Sequence, residues 1–173
     1  ELGLCSADLE AKLQNHESQG RTVTLLVSAT QVLALIAVAD SIKSTSREAI
    51  AMLVGMNVSI VMLTGDNQRT AQTIATQAGL SEARGDLLPE DKLAAIRELR
   101  GKGPTAMIGD GINDAPALTE SDIGIAMGVA GADIAIESAD VVIMNDDLRR
   151  IPDVLRLSRR THAVLWQNIA LAL

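Results

Sequence analysis

The fold is decided by the stretch Met107–Leu118, whose sequence is MIGDGINDAPAL. Its apolar start predicts a short buried strand, and Gly109–Asn113 predicts a tight turn. Asp114 then begins a helix whose first turn contains Pro116, where a missing N–H costs least. Two carboxylates, those of Asp110 and Asp114, are therefore expected at the carboxyl end of a strand.

Open α/β sheets bind their ligands at the carboxyl ends of the strands. The carboxylates of Asp110 and Asp114 are hard oxygen ligands of the kind that Mg²⁺ prefers, and protein-bound Mg²⁺ is commonly shared with a phosphate. The stretch thus predicts a metal-assisted phosphoryl site. The alternative is a strand-to-helix turn in which Asp and Asn only cap the helix.

Composition limits the kind of protein and the kind of metal site. The 173 residues suit one domain, or one and a part, and 47% of them are hydrophobic, enough for a substantial core. The net charge of −7 argues against a nucleic-acid partner, which needs a basic face. With one cysteine and two histidines, the chain has no disulfide framework, thiolate site or histidine-rich zinc site, so Mg²⁺ is the metal expected. The sequence has no secretory segment at its start. Because it begins with Glu1 and not with Met, we expect it to be part of a longer protein.

The first forty residues predict a short surface helix, Ala7–Gln19, and then a hairpin. Its strands are predicted at Thr22–Val27 and Val32–Ala39, and the second is apolar almost throughout, so we expect both of its faces to be covered.

From Asp40 helices alternate with strands, which predicts a three-layer α/β domain with a parallel sheet. The helices are predicted at Ser46–Val54, Gln68–Ala78, Glu90–Arg100, Asp114–Glu120 and Ala132–Ser138, and the strands at Val58–Leu63, Thr105–Ile108, Ile123–Ala126 and Val141–Met144. Ser81–Asp86 is expected to be a connecting loop.

One long helix is predicted from Leu148 to the end of the sequence. Its first half is rich in arginine, and Ala163–Leu173 is largely apolar, about half of the roughly 20 residues that span a bilayer. Basic residues before an apolar helix fit the cytoplasmic side of a membrane segment. The alternative is a C-terminal helix that packs on the core.

A second strand-to-helix motif, Val61–Asn67, has the sequence VMLTGDN. Thr64 can donate its hydroxyl to an anion, and Gly65 lets the backbone approach a ligand closely. The N–H groups of the following helix also favour an anion, so this turn is suited to a phosphate. The alternative is that Thr64 or Asp66 only caps the helix.

A third motif is the helix start at Leu88–Lys92, with the sequence LPEDK. Proline and acidic residues are ordinary at a helix start, whereas a cation such as Lys92 opposes the helix dipole there. This position suggests that Lys92 neutralises charge on a transferring phosphoryl group. A solvated surface lysine is the alternative. Since parallel strands end at one edge of a sheet, the three motifs together favour a single phosphoryl-transfer site.

With these motifs, the chain resembles the C-terminal catalytic part of a P-type cation-transporting ATPase, a member of the haloacid dehalogenase superfamily. The resemblance covers nearly the whole length and follows the family's order of motifs: TGDN at Thr64–Asn67, PEDK at Pro89–Lys92 and GDGINDAP at Gly109–Pro116. Gly131–Asp140 and Leu157–Ala163 resemble the heavy-metal-transporting branch. The step from Thr161 through His162 to Ala163 is closer to pumps for zinc, cadmium, cobalt or lead than to copper pumps.

The resemblance implies a haloacid dehalogenase fold, Rossmann-like, that uses ATP and Mg²⁺. In such a site Thr64 and Gly65 would hold the phosphoryl group, Lys92 would neutralise it, and Asp66 would lie towards the nucleotide.

The same resemblance implies that Asp110 ligates Mg²⁺, with Asn113 and Asp114 completing the network of phosphate and metal. Gly109 and Gly111 would lie beside the bound cofactor.

Residues 1–39 would then be the end of the nucleotide-binding domain and the return strand, residues 40–147 the C-terminal part of the phosphorylation domain, and residues 148–173 a stalk helix entering the membrane. The pump that contains them would be an integral membrane protein with this part on its cytoplasmic face, exporting a divalent metal bound elsewhere.

The chain departs from the family by having no Asp-Lys-Thr-Gly-Thr segment, which carries the family's nucleophile. We therefore expect an incomplete fold that lacks the central nucleophile strand, no phosphoenzyme on this chain alone, and dependence on an N-terminal part with the nucleophile, the nucleotide-binding domain and the membrane helices. Trp166 stands where the family suggests an arginine. Two alternatives stay open: a soluble haloacid dehalogenase-type phosphatase, and a non-catalytic module that binds nucleotide or complements another chain.

Overall fold

The computed structural model of the chain describes residues 6–39, 42–109, 114–128 and 137–172. Helices and parallel strands alternate through most of it, as predicted. The helices are α1 (Ala7–Ser18), α2 (Ser44–Gly55), α3 (Gln68–Ala78), α4 (Pro89–Arg100), α5 (Ala115–Glu120) and α6 (Arg150–Ala172), and the strands are β1 (Arg21–Val27), β2 (Val32–Ala39), β3 (Val61–Leu63), β4 (Glu82–Arg84), β5 (Ala106–Gly109), β6 (Ile123–Met127) and β7 (Val141–Ile143).

The chain divides into two compact units, and one of the boundaries between them falls within α4. The first unit consists of Glu1–Ile42 and Ile60–Ala95, and the second of Lys43–Ser59 and Ile96–Leu173. The first contains a hairpin and a two-stranded parallel sheet, and the second contains a three-stranded parallel sheet.

The hairpin of the first unit pairs β1 and β2 antiparallel, as predicted, with Thr24 opposite Ile36. The prediction that β2 is covered on both faces is wrong in this structure. Leu33, Ile36 and Val38 are 56%, 52% and 60% exposed. The reason is that, within the described residues, β2 has β1 as its only strand neighbour and no further layer covers these side chains.

The parallel sheet of the first unit joins β3 to β4, with Met62 opposite Ala83. Strand β4 lies inside the segment predicted to be a connecting loop, so that prediction was wrong. A run of three residues is too short to show the alternation of a strand. Helix α3 packs on this sheet through Ala71 and Ala75, both fully buried, and ends at Gly79, whose φ of +85° suits a residue without a Cβ.

The sheet of the second unit has the order β5-β6-β7, all parallel. Helix α5 packs against β6, where a Cβ on Gly124 would lie only 2.8 Å from the Leu118 carbonyl oxygen. Leu118 is 1% exposed and lies in the core of this unit. The prediction of parallel strands connected by helices is therefore confirmed in both units.

The carboxylate of Asp122, just before β6, binds the backbone just before β5. The Thr105 N–H donates to Asp122 Oδ2 at 2.8 Å, and Arg100 Nε donates to Asp122 Oδ1 at 3.1 Å. The hydrogen bond from the Thr105 backbone, followed by the charge of Arg100, lowers the pKa of Asp122. These contacts stabilise the ionised form of the carboxyl in the folded chain.

Arg149, just before α6, joins the start of that helix to α2. Its Nη1 donates to Glu48 Oε2 at 3.1 Å, and its Nε and Nη2 donate to Asp147 at 3.0 and 2.9 Å. The hydrogen bonds from Arg149 lower the pKa of Asp147 and, in return, raise that of Arg149. Ile151 and Pro152 are buried beside this network, so the first turn of α6 is firmly attached to the unit.

The predicted long C-terminal helix is confirmed as α6, which runs for 23 residues. Within the described ranges, no helix combines the length and the apolar character that crossing a bilayer requires. The predicted helix Ala132–Ser138 lies mostly outside the described residues.

Candidate phosphate-binding and magnesium-binding residues

The turn Thr64–Asn67 follows the carboxyl end of β3, as predicted, and backbone hydrogen bonds hold it in place. The Thr64 N–H donates to the Arg84 carbonyl at 3.0 Å, and the Leu87 N–H donates to the Thr64 carbonyl at 3.1 Å. The end of β3 is thus held through Thr64 both to the last residue of β4 and to the segment that follows β4.

The Thr64 hydroxyl is engaged with Asp66. Thr64 Oγ1 donates to Asp66 Oδ2 at 3.1 Å and accepts from the Asp66 N–H at 3.1 Å, while Thr22 Oγ1 donates to Asp66 Oδ1 at 3.4 Å. For Thr64 to donate to a phosphate, its hydroxyl proton has to turn away from Asp66. The carboxylate therefore competes with an anionic ligand for this donor.

Neither Thr64 nor Asp66 caps α3, so the capping alternative is wrong for both. The cap is Asn67, whose side chain accepts from the Thr70 N–H at 2.9 Å. The Gln68 N–H donates to Asp86 Oδ2 at 3.0 Å. Because these two N–H groups of α3 already have partners, an anion at this turn would depend mainly on the Thr64–Gly65 segment and less on the helix N-terminus than the sequence suggested.

Packing does not explain why residue 65 is glycine. A Cβ on Gly65 would have only the Leu87 carbonyl oxygen within 4 Å, at an ordinary 3.5 Å, and Gly65 is not among the glycines with positive φ. Gly85 differs, since a Cβ there would lie 2.6 Å from Gln68 Cα and 2.8 Å from the Asp66 carbonyl oxygen. The structure requires a glycine at position 85, whereas position 65 would accommodate a Cβ at an ordinary contact distance.

Lys92 lies in the first turn of α4, where its N–H donates to the Leu88 carbonyl at 3.1 Å. The residue is partly buried, which argues against the alternative of a fully solvated surface lysine. The acidic residue before it caps the same turn, with Asp91 Oδ2 accepting from the Leu88 N–H at 2.9 Å. Since Leu87 contacts the Thr64 turn, the start of α4 and that turn belong to one part of the first unit.

In the second unit the predicted strand and helix are both present, but β5 ends one residue later than predicted, at Gly109, and α5 begins one residue later, at Ala115, with Asp114 as its N-cap. A Cβ on Gly109 would lie 2.8 Å from Asp114 Oδ2, so the carboxylate occupies the space over the strand end. The Asp114 side chain makes no capping hydrogen bond to α5, although the residue is at the N-cap position. A carboxylate at the end of a strand suits a hard divalent cation such as Mg²⁺.

Asp110, Gly111 and Asn113 lie outside the described residues. Within the described part of the chain, no three His, Cys, Asp or Glu side chains cluster closely enough to hold a metal ion. Of the two predicted metal ligands, the structure therefore describes one, Asp114.

Sequence reasoning missed the contribution of Gly85 and Asp86. The Asp86 N–H donates to the Asp66 carbonyl at 2.6 Å, its carboxylate binds the start of α3, and its φ of +55° is unusual for a residue with a side chain. The Gly85 N–H donates to Gln68 Oε1 at 2.5 Å. The Gly-Asp pair is a turn signal that could have indicated this support for the Thr64 turn.

Comparison with known proteins identifies the family. The profile of haloacid dehalogenase-like hydrolases matches residues 2–122 of this chain. The chain is 45% identical over 168 residues to a probable cadmium-transporting ATPase of Alkalihalophilus pseudofirmus, covering 96% of this chain and 23% of that protein. It is 46% identical over 166 residues to a copper-exporting P-type ATPase of Bacillus subtilis, covering 95% of this chain and 21% of that protein.

A crystal structure of a zinc-transporting PIB-type ATPase in the E2.Pi state is also similar, with a TM-score of 0.78 and 46% identity over 95% of this chain and 27% of that one. The chain thus spans about a quarter of the length of the relatives that it matches. It matches the haloacid dehalogenase part of heavy-metal P-type ATPases, which confirms both the predicted resemblance and the predicted fold class. The chain belongs to the haloacid dehalogenase-like hydrolase family.

Proposed function

We propose that this chain is the part of an ATP-driven heavy-metal export pump that handles Mg²⁺-dependent phosphoryl transfer to an aspartate and its later hydrolysis. The observation that carries the proposal is the Thr64–Gly65 turn at the end of a parallel strand. Its glycine is required neither by packing nor by a positive φ, and it lies next to a hydroxyl donor. A phosphoryl group is the ligand that such a turn suits best.

In this proposal Thr64 and Gly65 hold the phosphoryl group, Lys92 neutralises its charge, and Asp66 lies towards the nucleotide. Asp66 has a second role. Its Oδ2 accepts a hydrogen bond from Thr64 Oγ1 at 3.1 Å and so sets the direction of the Thr64 hydroxyl before the ligand binds. Binding of a phosphate exchanges this hydrogen bond for one to a phosphate oxygen.

We assign the role of metal ligand to Asp110 and Asp114, a place in the phosphate network to Asn113, and a place beside the cofactor to Gly109 and Gly111. When bound there, Mg²⁺ supplies positive charge to the transferring phosphoryl oxygens. Gly109 serves by leaving room for the Asp114 carboxylate over the end of β5.

The nucleophile of such a pump is an aspartate that these 173 residues do not supply in the family's motif. We propose that a longer protein provides it, together with the remaining nucleotide-binding domain and the membrane helices. Residues 1–39 would belong to the nucleotide-binding domain, 40–147 to the phosphorylation domain on the cytoplasmic face, and 148–173 to the stalk. The exported ion is proposed to be zinc, cadmium, cobalt or lead, from the resemblance of Thr161–Ala163.

The alternatives have less support. A soluble phosphatase would not need a helix that passes from arginines to an apolar end, and the relatives described above are transporting ATPases. A non-catalytic module would not need the hydroxyl of Thr64 next to a glycine at position 65 that neither packing nor a positive φ requires.

The proposal is tested by Asp110→Asn in the longer protein that contains this chain. This change should abolish Mg²⁺-dependent phosphorylation by labelled ATP, because it removes a charge from the metal site. Asp122→Asn is the matched control, since Asp122 bonds to Thr105 and Arg100 in the same unit, outside the proposed site. Wild-type turnover in Asp110→Asn would remove Asp110 from the site.

A further inference from the structure

The hairpin of the first unit reaches the Thr64 turn through the side chain of Thr22 in β1. Thr22 Oγ1 donates to Asp66 Oδ1 at 3.4 Å, across 44 residues of sequence. The other carboxylate oxygen, Asp66 Oδ2, accepts from Thr64 Oγ1 at 3.1 Å. The carboxylate of Asp66 therefore links the hydroxyl proposed to bind the phosphoryl group to the first strand of the hairpin.

The start of β1 is held beside this turn by contacts with α3. Gly20, which directly precedes β1, is buried, and a Cβ there would lie 3.1 Å from Thr73 Cγ2. Glu17 at the end of α1 also forms an ion pair with Arg69 in the first turn of α3, with 3.9 Å between Oε2 and Nη1. Since α3 begins directly after the Thr64 turn, these contacts keep the start of β1 within reach of that turn.

The charge of Asp66 is unfavourable for an anion at this turn. The carboxylate repels a nearby phosphoryl group and competes with it for the Thr64 hydroxyl. Once Thr64 donates to a phosphoryl oxygen, Asp66 loses the hydrogen bond at Oδ2, and the one from Thr22 remains at Oδ1. Without Thr22, the carboxylate would compete more strongly for the Thr64 hydroxyl and would no longer be held towards the hairpin. Both changes weaken the binding of an anion.

We propose that Thr22 is a positioning residue for the phosphoryl site. Its hydroxyl holds the Asp66 carboxylate in the orientation that leaves Thr64 available, and so raises the affinity of the Thr64 turn for a phosphoryl group. The inference rests on the proposed function, because it takes Thr64 as a phosphoryl ligand. It gives the hairpin, which is proposed to belong to the nucleotide-binding domain, a direct influence on phosphoryl binding.

The test measures binding of orthovanadate, an anion that resembles a transferring phosphoryl group, to the longer protein that contains this chain. With Mg²⁺ and without nucleotide, orthovanadate should raise the melting temperature, and the dependence of this rise on its concentration gives the dissociation constant. Thr22→Val removes the hydroxyl and keeps the shape of the side chain. It should raise the dissociation constant about threefold to fivefold, as expected for the loss of one exposed hydrogen bond. Thr22→Ser keeps the hydroxyl and should keep the wild-type affinity.

The matched control is Thr24→Val, which makes the same change two residues further along β1, also at an exposed threonine. It should leave the dissociation constant unchanged. Adding Thr22→Val to Asp66→Ala should cause no further loss of affinity, because the carboxylate that Thr22 positions is then absent. Melting temperatures without orthovanadate check that each variant folds.

The inference is overturned if Thr22→Val keeps the wild-type affinity, if Thr22→Ser or Thr24→Val loses as much affinity as Thr22→Val, or if the loss persists on the Asp66→Ala background. Thr64→Val separates this failure from failure of the proposed function. If Thr64→Val weakens orthovanadate binding and Thr22→Val does not, the inference alone fails. If Thr64→Val binds orthovanadate as wild type does, Thr64 is not a phosphoryl ligand, and the inference fails together with that part of the proposed function.

Discussion

Replacing Gly65 by alanine should leave the chain as stable as before but impair phosphoryl transfer, whereas replacing Gly85 by alanine should destabilise the fold. Both glycines belong to the structure around the Thr64 turn. At Gly65 a methyl group meets one atom at an ordinary distance of 3.5 Å. At Gly85 it meets backbone atoms of Gln68 and Asp66, which cannot rotate away.

The magnitude at Gly85 follows from these contacts. The distance from the added Cβ to Gln68 Cα has to grow from 2.6 Å to at least 3.4 Å, a shift of about 0.8 Å. This shift also weakens the hydrogen bonds from Gly85 to Gln68 and from Asp86 to Asp66. Overpacking and weakened hydrogen bonds together should lower the free energy of unfolding by about 2–5 kcal/mol.

At Gly65 the free energy of unfolding should stay within about 0.5 kcal/mol or rise by about 0.4–1 kcal/mol, because alanine restricts the unfolded chain. The methyl group would, however, occupy the space proposed for the phosphoryl group. A displacement of about 1 Å at a reacting centre costs roughly 100-fold in rate, and we expect a loss of that order in phosphorylation by the longer protein.

Urea unfolding followed by far-ultraviolet circular dichroism measures the stability of both variants, and labelled ATP measures phosphorylation. The reasoning would be refuted if Gly65→Ala lost as much stability as Gly85→Ala. It would also be refuted if Gly65→Ala kept full phosphorylation, because the absence of a side chain at position 65 would then have no role in binding the phosphoryl group.

Three further predictions concern stability. Leu118→Ala should lower the free energy of unfolding by about 2–5 kcal/mol, and Val38→Ala by about 0.5 kcal/mol or less, since Leu118 is 1% and Val38 60% exposed; urea unfolding compares them. The lowered pKa of Asp122 gives a stabilisation that is complete above its ordinary pKa of 3.8 and is lost as the pH falls through the lowered value. Asp122→Asn should remove that component, so its stability should fall less steeply than wild type over this range in acid titrations of the melting temperature. Arg149→Gln should lower the melting temperature more than Arg150→Gln, because Arg149 bonds to the carboxylates of Glu48 and Asp147. Equal melting temperatures of the two variants would contradict this.

Strand-to-helix turns were the features that the sequence predicted best. At Met107–Leu118 the apolar run, the glycine and the early proline each favour the same local structure, and the observed β5 and α5 agree with them. The helix after Thr64 was predicted for similar reasons, and its cap at Asn67 is a residue type with a strong preference for that position.

Features set by distant contacts were not predictable in this way. Strand β4 depends on pairing with β3, which no local pattern reveals. The apolar sequence of β2 suggested burial, but burial depends on a covering layer, and Val38 has none within the described residues. The hydrogen bond between Thr64 and Asp66 was also unexpected, since a sequence identifies a hydroxyl donor but not the acceptor that it uses before a ligand binds.

The central claim is that this chain supplies groups that bind and stabilise the phosphoryl group, while the aspartate that accepts it lies in a longer protein. The most direct test is to treat the isolated 173-residue chain and the longer protein with labelled ATP and Mg²⁺, quench in acid and map the labelled residue. The account predicts no acid-stable label on the isolated chain, and label on an aspartate outside these residues in the longer protein. Acid-stable label on any aspartate of this chain would contradict it.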